Sequence, residues 1–102
     1  MALVIVRHKV LEFATWKRAF DGHAPARAEA GFSPNVRIYR SADDPSDVVV
    51  LLDTDDIGKA KQFIASPELK SAMSAAGVVD KPDVFVLIPA DAPDLPKARP
   101  SG

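Results

Sequence analysis

Apolar residues recur along this chain with two different periods, which separate predicted strands from predicted helices. Four short stretches are rich in β-branched residues and are bounded by turn-forming ones, a pattern typical of strands. These stretches are Leu3–Val10, Asn35–Arg40, Asp47–Asp53 and Asp83–Ile88. Both alternating sets of side chains start apolar in the first strand, and the third strand is apolar almost throughout. We therefore expect both faces of the sheet to be covered.

A helix is predicted between the first two strands, from about Glu12 to Ala30. Its larger side chains recur at steps of three and four residues, which places them on one stripe. The members of this stripe are Phe13, Trp16, Phe20, His23 or Ala24, and Arg27. Gly22 weakens the helix, and Pro25 has no N–H to donate to the carbonyl oxygen of Asp21. We therefore predict a kink or a break between Asp21 and Pro25.

The stretch between the third and fourth strands predicts two shorter helices. Asp55 or Asp56 caps the first of them, because a carboxylate accepts hydrogen bonds from the free N–H groups of a first helical turn. Ser66 and Pro67 then indicate a new start, with serine as the cap and proline in the first helical position. The second helix is predicted to end at Gly77.

The order of these elements is β-α-β-β-α-β, the pattern of an α+β ferredoxin-like sandwich with an antiparallel sheet. The polar turn at 41–46 joins the second and third strands into a hairpin. Right-handed crossovers place the helices on one face of the sheet. The opposite face also carries valine and leucine, and a wet apolar sheet is not stable in a monomer. We therefore predict a homodimer with its two sheets face to face around a two-fold axis.

The chain of 102 residues fits a single domain. We predict that this domain spans residues 1–89 and that residues 90–102 form a Pro-rich C-terminal tail. Four of the nine prolines lie in the last fourteen residues, namely Pro89, Pro93, Pro96 and Pro100. Because this segment lacks a strand pattern, we expect it to be dispensable for folding.

Composition and charge exclude several classes of function. The 13 basic and 14 acidic residues give a net charge of −1, so no nucleic-acid partner is predicted, because phosphate binding needs a basic excess. The absence of cysteine excludes thiolate catalysis and cysteine-ligated metals. The apolar run Leu3–Val6 is too short for a signal peptide or a membrane span. We expect no membrane partner and, by default, a cytoplasmic protein.

The two histidines, His8 and His23, are the candidates for proton transfer, because imidazole titrates near pH 6.5. His8 lies on an otherwise apolar strand face, where it either contacts a ligand or is a hydrogen-bonded, half-buried core histidine. His23 lies beside the predicted break and is either a catalytic acid or base or a capping and packing residue. A third ligand is lacking, so no metal is predicted. No Gly-rich phosphate-binding loop is present, and no cofactor is predicted.

Aromatic and cationic residues suggest a pocket between helix and sheet. Trp16 and Phe20 either line a ligand cavity or belong to a filled core. Arg27 follows His23 by one helical turn, on the same stripe. Arg37 and Tyr39 share one face of the second strand, and an Arg with a Tyr suits an anionic or phenolic ligand. The alternative is a solvated arginine and a tyrosine at the rim.

Several stretches of the sequence resemble the dimeric α/β-barrel superfamily, and the resemblance covers about residues 1–89. They are Val6–Val10, Trp16–Arg27, Ser41–Asp56, Ala65–Val78 and the closing PDVFVL. The superfamily includes antibiotic-biosynthesis monooxygenase-like, stress-responsive and polyketide-cyclase-like proteins, and the chain is most similar to small bacterial monooxygenase- or cyclase-like members. The resemblance implies a dimeric barrel, a pocket between helix and sheet, and cofactor-independent chemistry in the monooxygenase members.

Three functions remain open at this point. The protein is an enzyme acting on a small apolar or aromatic metabolite, with His23 as acid or base. Alternatively, it is a ligand-binding or stress-related module that holds such a molecule without turnover, or a purely structural dimer. The residues alone leave open whether it is an enzyme.

Overall fold

The computed structural model describes residues 1–90 of the chain. Within that range, two helical segments alternate with four strands, and each helical segment is divided in two. The strands are β1 (Ala2–Lys9), β2 (Phe32–Arg40), β3 (Asp47–Thr54) and β4 (Asp83–Leu87). The helices are α1 (Phe13–Gly22), α2 (Ala24–Glu29), α3 (Ile57–Ile64) and α4 (Pro67–Ala75). No helix in residues 1–90 is long and apolar enough to span a membrane.

The four strands form one antiparallel sheet with the order β2-β3-β1-β4. The register is continuous through the centre, where Val6 of β1 pairs with Val50 of β3 on one side and Val84 of β4 on the other. The predicted α+β ferredoxin-like fold is therefore confirmed. The predicted tail at residues 90–102 lies, apart from Ala90, outside the described residues.

Strand β2 begins earlier than the sequence pattern predicts, at Phe32 instead of Asn35. Its register to β3 shifts between Phe32 and Val36. Pro34 lies in this irregular part, and β2 is at the edge of the sheet. A proline is tolerated there because an edge strand has one row of N–H groups that need no partner strand.

The predicted break in the first helical segment is confirmed and lies at His23, between α1 and α2. The backbone N–H of His23 donates to the carbonyl oxygens of Ala19 and Phe20 and closes α1. Pro25 falls in the first turn of α2, where its missing N–H leaves no intrahelical bond unmade. The chain therefore accommodates this proline by ending one helix and starting another.

The caps of the second helical segment also follow the sequence. The Asp56 side chain accepts a hydrogen bond from the N–H of Lys59 at 3.0 Å, and this makes Asp56, of the two candidates, the cap of α3. The Ser66 hydroxyl accepts from the N–H of Leu69 at 3.2 Å and caps α4. Each cap satisfies a donor that the first helical turn leaves free.

The helices pack on the sheet face formed by the even-numbered residues of the strands, which is the buried face. Its central members, Val4, Val6, Val48, Val50 and Leu52, form the core with Trp16, Phe32, Ala60 and Ala76. The odd-numbered residues form the second face, called here the open face. Its apolar members are Leu3, Ile5, Val49, Leu51, Phe85 and Leu87, and it also carries Tyr39. The open face is only partly shielded from solvent in the single chain, and Phe85 is 54% exposed.

Candidate functional site

A cavity of about 90 Å³ lies between the helices and the buried face of the sheet. It opens to solvent on one side, and most of its wall is aliphatic or aromatic. His8, His23 and Arg27 are the titratable side chains among its lining residues. The others are Val4, Val6, Trp16, Ala19, Phe20, Phe32, Val50, Leu52, Phe63, Ile64, Leu69, Ala72, Met73 and Ala76. The stripe predicted on the first helical segment thus brings Trp16, Phe20, His23 and Arg27 to one cavity.

One wall of the cavity is a row of aromatic rings on α1. Trp16 is buried, with 3% of its surface exposed, and stacks on Phe20 at a centroid distance of 5.0 Å. It also contacts Phe13 at 5.7 Å and meets the His8 ring edge-on at 5.6 Å. Residues spaced by three or four positions lie on one helix face, which explains the row. Trp16 is therefore both a core residue and a wall of the cavity.

His8 lies in the buried part of this cavity. Its position on β1 is an even-numbered one, so the side chain points toward the helices, and only 2% of the residue is exposed. Neither ring nitrogen has a hydrogen-bond partner within residues 1–90. Burial lowers the pKa of His8 from its usual value of 6.5, so the ring is neutral near pH 7. The expectation of a half-buried histidine is wrong, and the expected hydrogen bond is absent within residues 1–90.

The pKa of His8 makes the stability of the protein depend on pH. Because the pKa is lower in the folded chain than in the unfolded chain, the unfolded chain binds more protons below pH 6.5. Stability is therefore expected to fall as the pH decreases from about 6.5 through the folded-state pKa. Thermal unfolding between about pH 7.5 and about pH 5 measures this slope. His8→Phe should flatten the slope, whereas an unchanged slope in this variant would contradict the assignment.

His23 occupies the break between α1 and α2 and is half-buried. Its backbone closes α1, and its side chain lines the cavity nearer to solvent than His8 does. The backbone of His23 therefore ends α1, and its side chain has the place in the pocket that the stripe predicts. Its position permits contact with a molecule in the cavity, and whether it transfers a proton is a proposal taken up below.

Arg27 joins the two helices across the break. Its guanidinium carbon lies 3.7 Å from the centroid of the Phe20 ring, and Nη1 donates to the Phe20 carbonyl oxygen at 2.7 Å. This carbonyl belongs to the last turn of α1 and also accepts from the backbone N–H of His23 at 3.1 Å. Burial lowers the pKa of Arg27. Arg27 therefore holds α2 against the end of α1 and presents a partly buried cation to the cavity.

Arg37 and Tyr39 do not reach this cavity, which corrects the prediction that they contribute to it. They are odd-numbered residues of β2 and lie on the open face. Arg37 pairs with Asp53 at 3.1 Å, and Tyr39 is 58% exposed. Side chains alternate between the faces of a strand, so neither can reach the helix side of the sheet. An Arg–Tyr pair for an anionic or phenolic ligand is therefore absent from the cavity.

Helices α3 and α4 complete the cavity with residues that were not predicted as site residues. These are Phe63 and Ile64 of α3, and Leu69, Ala72 and Met73 of α4. They form the apolar sides of their helices, so their burial follows from the sequence pattern. Their place opposite Trp16 and His8 follows only from the topology, which puts both helical segments on one face.

A second depression adjoins this site between α2 and the start of β2 and shares Arg27 and Phe32 with it. It is larger, about 450 Å³, and Arg27 is its only titratable lining residue in the described part of the chain. The remaining lining consists of small or apolar side chains and Ser33. In residues 1–90, no three His, Asp or Glu side chains are grouped so as to hold a metal ion. The cavity between helices and sheet is therefore the candidate site.

No protein-family model matches this sequence, and no curated protein matches it. Solved structures do match. One is a candidate antibiotic biosynthesis monooxygenase from Bordetella bronchiseptica, with a TM-score of 0.71 and 16% identity over 87% of this chain and 96% of that one. Another is SnoaB, a cofactor-independent oxygenase from Streptomyces nogalater, with a TM-score of 0.65 and 19% identity over 90% and 96% of the two chains.

A third match is a candidate antibiotic biosynthesis monooxygenase from Nitrosomonas europaea. It has a TM-score of 0.62 and 20% identity over 89% of this chain and all of the other. The matches extend over nearly the whole of the compared chains, and sequence identities at this level establish a shared fold and not a shared reaction. The chain therefore has the α+β ferredoxin-like fold of the antibiotic biosynthesis monooxygenase-like proteins.

Proposed function

We propose that this protein binds a small apolar or aromatic molecule in the cavity between its helices and its sheet. The observation that carries the proposal is the cavity itself, with its aromatic wall and its two histidines at different depths. Ligand sites are typically apolar clefts with a few polar groups that fix orientation. The volume of about 90 Å³ is well below the roughly 300–1,000 Å³ typical of sites for drug-sized ligands. A molecule with a single ring, partly outside the mouth, suits this space.

The reaction that we propose is a monooxygenase- or cyclase-like conversion without a cofactor. The likeness to SnoaB, described as a cofactor-independent oxygenase, supports the first of these reactions. Without a cofactor, the bound substrate must itself supply all four electrons that reduce dioxygen, so an electron-rich phenol or hydroquinone is required. Such a substrate takes up one oxygen atom and is oxidised to a quinone, while the second oxygen atom leaves as water. His23, near the mouth, is the proposed acid or base that moves the substrate proton.

Mass spectrometry of the molecules that copurify with the protein tests this proposal directly. The expected result is a small aromatic compound present in stoichiometric amount and lost when the protein is unfolded. Dioxygen uptake with single-ring hydroquinones then tests turnover. An empty protein that consumes no dioxygen above the uncatalysed rate with any such compound would contradict the monooxygenase-like reaction.

His23→Ala is expected to lower turnover by roughly 10²–10⁴-fold, the usual contribution of a general acid or base. The fold should persist, because the backbone and not the side chain of His23 closes α1. Dioxygen uptake and thermal unfolding, measured side by side, check both parts. Arg18→Ala on the exposed side of α1 is the control and should change neither quantity. Equal turnover in the His23 and Arg18 variants would remove His23 from the mechanism.

A ligand-binding or stress-related module without turnover is the alternative. The cavity supports it equally well, because binding needs only the aromatic wall and a polar group. A copurified molecule that is recovered unchanged after long incubation in air would favour this alternative. A cytoplasmic location remains a prediction from the sequence alone.

We propose further that the protein is a homodimer joined through the open face. The apolar row Ile5, Leu51 and Phe85 runs across the centre of this face, with one residue from each of three adjacent strands. Ion pairs flank it, because Arg7 bonds Asp47 at 2.6 Å on the same face. An apolar centre with a polar rim is the usual anatomy of a protein interface. A flat surface of this kind can pack against its own copy around a two-fold axis.

A further inference from the structure

We propose that His8 is the group that selects the ligand of the cavity, through a hydrogen bond to an uncharged hydroxyl or carbonyl group on an apolar ring. This inference rests on the proposed ligand binding and specifies the ligand's chemistry. His8 is 2% exposed, and both of its ring nitrogens lack a partner within residues 1–90. A neutral imidazole carries one N–H donor and one acceptor nitrogen, and polar groups buried this deeply are normally paired.

A hydrogen-bond partner for His8 can come only from a molecule in the cavity, because the side chains around the ring in residues 1–90 offer none. The ring meets Trp16 edge-on at 5.6 Å, and aliphatic side chains of the sheet flank it. The neighbouring charges Arg7, Asp47 and Asp80 are engaged with one another on the open face, where Arg7 binds both carboxylates. Side chains alternate along β1, so this cluster faces away from His8.

Two titratable groups of the described residues face the same cavity from the helices. They are His23 and Arg27, which line the same cavity from the break between α1 and α2. Arg27 donates to the Phe20 carbonyl and lies over the Phe20 ring, so these contacts hold its guanidinium at the break between the helices. His23 is nearer to solvent than His8. A ligand that enters past these residues therefore meets His8 as the polar group at the buried end.

The same geometry indicates that the buried end of the ligand is uncharged. A carboxylate beside His8 would lie among valine and tryptophan side chains, and an ion without a partner in such a wall is strongly disfavoured. Burial also lowers the pKa of His8, which keeps a compensating positive charge from forming near pH 7. A carbonyl group can accept from the N–H of the neutral imidazole, and a hydroxyl group can either accept from that N–H or donate to the other nitrogen, in each case without a buried charge.

Three single-ring probes separate the contributions to binding: phenol carries a hydroxyl, toluene is its apolar counterpart, and benzoate carries a charge. Calorimetry or NMR titration with the full-length protein near pH 7.5 is expected to rank phenol above toluene by roughly 2- to 10-fold, the range for one hydrogen bond. Benzoate should bind most weakly. In His8→Phe, which keeps a ring in place, the preference for phenol over toluene should vanish. In His23→Ala it should persist.

Each result decides between the claims. Toluene and phenol binding with equal affinity would overturn the role of His8 and leave the cavity as a ligand site. No binding of any probe would overturn the proposed function, and this inference with it. A phenol preference that survives His8→Phe would assign the hydrogen bond to another residue. If His8→Phe does not fold, nitrogen NMR of the native protein decides instead: phenol, and not toluene, should shift the His8 ring signals.

Discussion

Trp16→Ala is expected to lower the free energy of unfolding by about 3–5 kcal/mol, the usual cost of removing a large buried aromatic side chain. Trp16 is 3% exposed and touches His8, Phe13 and Phe20. Its removal takes away apolar contact on three sides and enlarges a cavity that already exists. In a domain of this size, such a loss is a large part of the total stability. Chemical denaturation, followed to completion, measures the change.

Leu11→Ala is the control for this substitution. Leu11 lies just before α1 and is 80% exposed, so its truncation should change the free energy of unfolding by less than about 0.5 kcal/mol. His23→Ala provides a second comparison, since its side chain lines the same cavity from the mouth. If Trp16→Ala and His23→Ala lose the same stability, the cavity is a filled core whose residues act only by packing. A loss confined to Trp16→Ala agrees with a ligand site.

Leu51→Asp is expected to convert the proposed dimer into a monomer. Leu51 stands at the centre of the open face, paired to Ile5 on one side and to Arg37 on the other. In a dimer packed on this face, the new carboxylate would be buried, and the neighbouring Arg37 is already paired with Asp53. An unpaired buried charge costs several kcal/mol, so the dissociation constant should rise by roughly 100-fold or more. Light scattering should show the mass fall from twice the chain mass of 10.9 kDa to the chain mass itself.

Leu11→Asp makes the same chemical change away from the sheet and should leave the mass unaltered. The unmodified protein must be measured at the same micromolar concentration. A monodisperse monomer of the unmodified chain would refute the dimer outright. A dimer that survives Leu51→Asp would show that the copies join through another surface.

The parts of the fold that could be predicted are those that short-range chemistry decides. Alternation along β1 placed His8 and Arg7 on opposite faces, and Ser66 with Pro67 marked the start of α4. Pro25 located the break between α1 and α2, because a helix interior cannot accommodate a residue without an N–H. The stripe on α1 and α2 likewise located one wall of the cavity.

The predictions that are wrong depend on contacts between distant parts of the chain, and the sequence of a short segment carries no information about such contacts. Alternation groups Arg37 with Tyr39, but it does not say which face of β2 the helices cover, and that choice separates both residues from the cavity. The sequence predicts that β2 starts at Asn35, because Ser33 and Pro34 are typical of a turn. The strand starts at Phe32 instead, since an edge strand with a register shift accommodates both residues. The lack of a hydrogen-bond partner for His8 within residues 1–90 depends on every element that surrounds the ring, so no local sequence pattern could predict it.

The two faces of strand β1 have different roles, and this restricts which mutations the strand can tolerate. Arg7 faces the ion pairs of the open face, and its neighbour His8 faces the cavity. A substitution of Arg7 changes only the open face, and a substitution of His8 changes only the cavity. Insertion or deletion of a single residue in β1 would exchange the residues of the two faces, since a shift by one residue turns every following side chain to the other face. Related sequences should therefore vary in side chains along β1 while its length stays constant.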